Sequence, residues 1–223
     1  MAEMVTLDMN TPSVQYLCRK DKRLAKIISM VGPISYVPHE QDPYSHMVHE
    51  IIEQMMSIKA GQKIYSRLEN LCGGDVSPKV IRRLSYEELR SCGTSSAKVN
   101  CIQNLTNAVI SGSIVFSEFK EMSDADIIKK LTSIKGIGPW TSKMYLIFIL
   151  DRQDVLPYED GAFLQAYRWL YKTDDLSVDS VEKRCKKWKP YSSVAARFMY
   201  RALDYGFTKN EFHLFKNNEV LSE

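Results

Sequence analysis

LTSIKGIGPWTSKMYLIFILDRQDVLPYED, from Leu131 to Asp160, is the stretch on which the reading of this chain turns. Ser123 and Asp126 form a capping box ahead of it, so residues 124–132 are expected as a short helix with Ile127, Ile128 and Leu131 turned inward. Lys135 to Pro139 (KGIGP) then reads as a tight hairpin, because two glycines permit the turn and Pro139 suits the first position of a helix. From Trp140 to Leu150 the chain is apolar almost all round, with Met144 to Leu150 unbroken, which predicts a central helix covered on every side. After an exposed turn, Asp160 stands at the entrance of a further helix expected over 161–171.

Outward from this stretch the helical spacing continues. Thr11-Pro12 begins one or two short helices reaching about Met30, and Gly32 to Pro43 is a connector carrying three prolines. Met47, Val48, Ile51, Ile52 and Met55 share one helical face, and Ala60, Ile64, Tyr65, Leu68 and Leu71 share another after Ser57. Cys72-Gly73-Gly74 ends that helix, Ser77-Pro78 opens a third, Ser85 with Glu88 boxes a fourth, and Ser95 opens a longer one closed by Gly112. Downstream, Asp179 with Glu182 caps a helix ending near Trp188, and residues 192–205 form a last long one. Ile34 to Val37 alone has β character, so the fold class is all-α.

Composition narrows the function less than the motifs do. With 223 residues, 44% of them hydrophobic, the chain can bury a substantial core in one domain or two small ones. A net charge of +3 permits nucleic acid as a partner without arguing for it. Five widely spaced cysteines without a CxxC argue against a disulfide framework or a zinc ribbon, and fit reduced thiols of an intracellular protein. No run approaches the roughly 18 apolar residues of a membrane span, and the amino terminus has no apolar signal core. A soluble protein is expected, neither secreted nor membrane-bound.

Each candidate residue has an ordinary explanation beside a functional one. The glycines of KGIGP suit a plain αα-corner, and they also leave backbone N–H groups free to face a phosphate. Asp160 suits an N-cap; the same position suits a carboxylate that stabilises a cation, since the helix dipole favours negative charge there. Asp154 and Glu159 are rival acids. Met55 and Trp140 suit core packing as well as contact with a ligand.

LTSIKGIGPWTSKMYLIFIL, then DVLPYED, then WKPYSSVAARFMY from Trp188 resemble the helix-hairpin-helix (HhH-GPD) DNA glycosylases of the 3-methyladenine DNA glycosylase II type, over residues 44–205. HMVHEIIEQMMSIKAG is similar to the helix and loop before that family's wedge residue. The resemblance implies two helical subdomains flanking a DNA-binding cleft, residues 1–43 with 151–223 and residues 44–150, the motif lying at 131–150. It further implies that Asp160 is the catalytic aspartate, that Gly136 and Gly138, with Lys135, Thr141 and Lys143 nearby, hold the DNA backbone, and that Trp140 walls the base pocket. Met55, flanked by Gln54 and Ser57, matches the apolar side chain that fills the gap left by an extruded nucleotide. Tyr145, Tyr158 and Tyr191 are added to the pocket because electron-rich rings attract a cationic alkylated base.

Departures from the family pattern shape the chemistry expected. Trp140 stands where bifunctional relatives carry a lysine nucleophile, so a single-activity glycosylase releasing alkylated purines, of the 3-methyladenine and 7-methylguanine class, is implied, with no strand nicking. Lys143, one turn on, reads as a solvated or phosphate-facing lysine. Only Cys185 lies where some relatives hold an iron–sulfur cluster, so no cluster and no resident cofactor are expected; a monovalent cation at the hairpin is compatible with the motif. Glu53-Gln54 replaces a pair of glutamines, and Ser192 replaces a frequent arginine after WKPY. The region before Tyr44 is too short for the extra β-rich domain of some relatives. The partner implied is damaged double-stranded DNA, met by a monomer in the cytoplasm of a prokaryote or the nucleus of a eukaryote. The alternatives are a non-catalytic DNA-binding module, or a glycosylase for deaminated or oxidised bases.

Overall fold

The computed structural model describes residues 4–38 and 42–215, so residues 39–41 of the expected connector lie outside the described residues. The chain forms two units: one takes it up to Pro38 and again from Asp151, and the other takes the stretch between, to Leu150.

The first unit begins with β1 (Val5–Leu7), which pairs antiparallel with β2 (Ile34–Tyr36), Thr6 standing opposite Ser35. Between them lie α1 (Pro12–Lys20) and α2 (Lys22–Val31). Asp21, extended at φ −143°, breaks what would be one helix into two and caps the second, accepting from Arg23 N and Leu24 N. The chain then enters the second unit through α3 (Pro43–Glu53), α4 (Ile58–Leu71), α5 (Pro78–Ile81), α6 (Tyr86–Ser91), α7 (Ser96–Ile110), α8 (Asp124–Thr132) and α9 (Pro139–Phe148). It returns to the first unit as α10 (Gly161–Tyr171), α11 (Val178–Cys185) and α12 (Ser192–Asp204). The fold is thus all-α apart from the short two-stranded ladder, the only sheet among the described residues.

In the second unit α3 packs on α4, α7 and α9, and α8 packs on α9. Every residue of α9 from Thr141 to Ile147 is buried, as its unbroken apolar run predicts. Each large apolar side chain removed from water this way, such as Leu146 or Ile147, stabilises the fold by about 1.5–3 kcal/mol. In the first unit α12 lies against α2 and α10, around a core that includes Leu17, Leu24, Phe163, Trp188 and Phe198.

Two expectations change in detail. Ser177, not Asp179, enters α11; Asp179 lies in its first turn, where an acid complements the positive end of the helix. The helix expected through Met55 stops at Glu53. Among the described residues no helix is long and apolar enough to cross a membrane.

The first unit turns on Asp21, which is 3% exposed. Besides capping α2, its carboxylate accepts from Trp188 Nε1 at 3.0 Å and from the Tyr171 hydroxyl, and it pairs with Lys187 Nζ at 3.0 Å. Burial opposes the charge, but the hydrogen bonds from Tyr171, Lys187 and Trp188 outweigh it and hold the carboxyl below its ordinary 3.8. The unfolded chain therefore takes up the proton first, and the stabilisation, complete above 3.8, is lost as the pH falls past it. Asp21→Ala strands three side-chain donors and removes the cap of α2, so we expect a loss of about 3 kcal/mol, read as a lower urea midpoint, with a flatter stability profile below pH 4 than the wild type.

Candidate functional site

The glycine hairpin is made by two glycines that are needed for different reasons. Gly136 has φ +105°, and a Cβ there would come within 2.7 Å of both Cβ and Sγ of Cys101 on α7, so the residue is fixed by conformation and by contact. Gly138 has an ordinary φ of −102°, and a Cβ there would meet nothing within 4 Å. Neither backbone strain nor packing therefore requires glycine there, and the space beside it is open. Pro139 follows at the first position of α9, whose N-terminus receives no side-chain cap.

Side-chain amides brace this turn from two directions. Asn104 Nδ2 donates to the Lys135 carbonyl at 3.0 Å, and Gln54 Nε2 donates to Thr141 Oγ1 at 3.0 Å and to the Gly136 carbonyl at 3.4 Å. Gln54 ends α3, and the next residue, Met55, stands in the left-handed region at φ 54° with its side chain fully exposed (104%). That conformation is usually left to glycine, and a side chain in it costs about 1–2 kcal/mol. Met55 is therefore not a core residue, contrary to the helical spacing that included it: an apolar side chain is held in water, on strained backbone, by a loop tied to the hairpin. Ser57, which resemblance grouped with it, caps α4 through Ala60 N.

Three of the expected contact residues are corrected by their burial. Tyr145 is fully buried, with its ring against Phe116 and Phe119, so it belongs to a core and offers no face to a base. Thr141, 1% exposed, spends its hydroxyl on Gln54, and Lys143, 7% exposed, is not the solvated lysine expected. The two point to nearly opposite sides of α9 and both are covered, because that helix has almost no exposed face to offer. Lys135 is exposed, and Trp140, in the first turn of α9, is half-buried.

In the first unit Asp160 caps α10, its Oδ1 accepting from Phe163 N at 2.6 Å, and it is 7% exposed. The expected cap is present. Tyr158, two residues earlier, is half-buried; Tyr191, beside the start of α12, is in edge-on contact with Tyr16, ring centroids 5.4 Å apart. Of the rival acids, Glu159 is exposed, and Asp154 is committed to Ser192, accepting from its hydroxyl at 2.6 Å and its N–H at 3.3 Å. The bonds and contacts that Asn104 and Cys101 make at the hairpin were not visible in the sequence, since each involves a partner distant along the chain. Among the described residues no group of acids, histidines and cysteines is arranged to hold a metal ion.

Comparison with known proteins extends these observations. A family model described as HhH-GPD superfamily base excision DNA repair protein matches residues 48–190. DNA-3-methyladenine glycosylase 1 of Schizosaccharomyces pombe is 30% identical over 194 residues, which cover 83% of this chain and 84% of that protein. The crystal structure of a DNA-3-methyladenine glycosidase from Bacillus halodurans superposes with a TM-score of 0.80 at 33% identity, covering 94% of this chain and 97% of the other. The Schizosaccharomyces pombe 3-methyladenine DNA glycosylase in complex with abasic DNA gives 0.80 at 28% identity, covering 87% and 97%. The match spans the braced hairpin, the exposed Met55 and the capping Asp160 alike, and on it the chain belongs to the HhH-GPD superfamily of base excision DNA repair proteins.

Proposed function

We propose that this chain is a single-activity DNA glycosylase that removes alkylated purines from duplex DNA, with Asp160 as its catalytic carboxylate. The observation that carries the reading is the way Asp160 is held: nearly buried, with one oxygen fixed on a backbone N–H at the positive end of α10. The names of the relatives, 3-methyladenine glycosylases, support the choice of substrate.

A base inside a duplex is out of reach of any protein acid, so the damaged nucleotide must leave the stack, at roughly a few kcal/mol. Met55 is suited to hold the gap: it is apolar, projects fully into solvent, and stands on a loop braced by Gln54 against the hairpin. The hairpin in turn offers the uncapped start of α9, the open space at Gly138 and the exposed Lys135 to the phosphate backbone, contacts that fix register without reading sequence. A monovalent cation at this turn would have to do without the carbonyls of Lys135 and Gly136 as sole ligands, since these already accept from Asn104 and Gln54.

Alkylation at N3 or N7 makes the purine cationic and weakens its glycosidic bond, so departure needs no strong general acid. Trp140 is the wall assigned to the base, where a cation–π contact contributes about 0.5–2 kcal/mol. As the bond lengthens, positive charge develops on the sugar; Asp160 stabilises it and orients the water that completes hydrolysis. The partner is damaged duplex DNA, and the protein works as a monomer.

The test is incubation with methylated DNA and identification of the bases released, with borohydride trapping as control. Release of 3-methyladenine without a trapped adduct is expected; a trapped adduct would reveal a lysine nucleophile, and DNA binding without release from any damaged DNA would reduce the protein to a binding module. Asp160→Asn should keep DNA affinity and lose about 10²- to 10⁴-fold in single-turnover release. Met55→Gly relieves the left-handed side chain, so its thermal midpoint should rise by the equivalent of about 1 kcal/mol while excision from fully paired DNA slows.

A further inference from the structure

The segment between the end of the second unit and Asp160 has little regular structure of its own, yet four of its first five residues, Asp151, Gln153, Asp154 and Val155, are fastened to α12. Asp151 lies in the left-handed region at φ 51°, and its Oδ1 takes a bond from the Tyr36 hydroxyl at 2.9 Å and pairs with Arg197 at 3.1 Å. The Arg197 guanidinium also sits 4.1 Å from the centroid of the Tyr36 ring. Burial is the main cause that pushes the Tyr36 hydroxyl up to about 12, so it stays a donor at neutral pH. The Gln153 carbonyl accepts from Ser193 N at 3.0 Å, and Asp154 accepts from the Ser192 hydroxyl and N–H. Val155 N donates to Ser193 Oγ at 2.9 Å, and that hydroxyl donates back to the Val155 carbonyl at 3.3 Å.

The α12 residues that make these bonds are Ser192, Ser193 and Arg197, respectively 1%, 2% and 8% exposed. α12 also packs directly on α10, the helix that Asp160 caps. One helix thus supports the catalytic candidate from both sides: along the segment that leads to it, and under the helix it begins. Ser192 is too enclosed for the DNA contact that its place after WKPY suggests.

We propose that Ser192, Ser193 and Arg197 are positioning residues, a clamp by which α12 fixes residues 151–155 and so sets where the Asp160 carboxylate meets the sugar. The inference rests on the assignment of Asp160 as the catalytic group. Side chains that merely fill a core would lower stability when changed; this clamp, changed at a temperature where the fold persists, lowers the chemical rate and leaves DNA binding alone. A displacement of the order of an ångström at a reacting group costs about 100-fold in rate.

The experiment compares Asp154→Ala, Ser193→Ala and Asp154→Asn well below their thermal midpoints. It measures single-turnover release of bases from methylated duplex DNA and affinity for abasic DNA. We expect Asp154→Ala and Ser193→Ala to lose about 10- to 100-fold in release at unchanged affinity. Asp154→Asn, which keeps an acceptor for Ser192, should restore most of the rate. Wild-type release in both alanine variants overturns the clamp, as does a parallel loss of rate and affinity that asparagine does not rescue. A large loss of release in Asp154→Asn also overturns the clamp, because it would require the Asp154 charge rather than an acceptor for Ser192. Asp160→Asn is run alongside: wild-type release by that variant overturns the catalytic assignment itself, which separates that failure from a failure of the clamp.

Discussion

Burying a helix on all sides leaves its ends as the places where it can meet a partner, and α9 is buried from Thr141 to Ile147. Its start must therefore carry both the turn that reaches the surface and whatever that turn holds. This constraint explains why the hairpin is braced as it is. A loop at the mouth of an immobile helix can be rigid only if its carbonyls find donors, and Asn104 and Gln54 supply them. Because Gln54 also closes α3, the bond that steadies the hairpin also ties down the loop that carries Met55.

Much of this was legible in the sequence, and what was not has a common physical cause. The all-round apolar run gave α9, the capping box at Ser85 and Glu88 gave the start of α6, and Gly138-Pro139 gave the start of α9, because all depend on neighbours within one helical turn. The helical spacing ran on through Met55 because periodicity counts positions and does not see where a helix stops. The fate of Tyr145 and Lys143 turned on which faces of α9 are covered, and on a helix without an exposed side polarity is no guide. Three-residue β1 carries no usable strand signal; it exists because Ile34–Tyr36 lies ready to pair with it. The links of Asp154 to Ser192 and of Asn104 to Lys135 span 38 and 31 residues, beyond any local pattern.

At Asp160 the observed cap and the proposed catalytic role are compatible. A cap holds a carboxylate still through a backbone N–H, and stillness is what electrostatic stabilisation of a short-lived cation requires. Met55 is the opposite case, in which a residue is kept against the preference of its own backbone. The local rule for a helix cap held at Asp160, while helical spacing ran past the end of α3 at Met55.

The contact between Gly136 and Cys101 bears on survival in the chemistry the protein faces. The thiol is packed so tightly under the hairpin that even a methyl group added to the glycine would collide with it, and burial pushes it up to about 11. Cys18, Cys72, Cys92 and Cys185 are likewise raised by burial. Alkylating agents attack thiolates, and at neutral pH these five offer few. A protein proposed to erase alkylation damage thus carries its own soft nucleophiles in muted form, Cys101 among them packed under the turn.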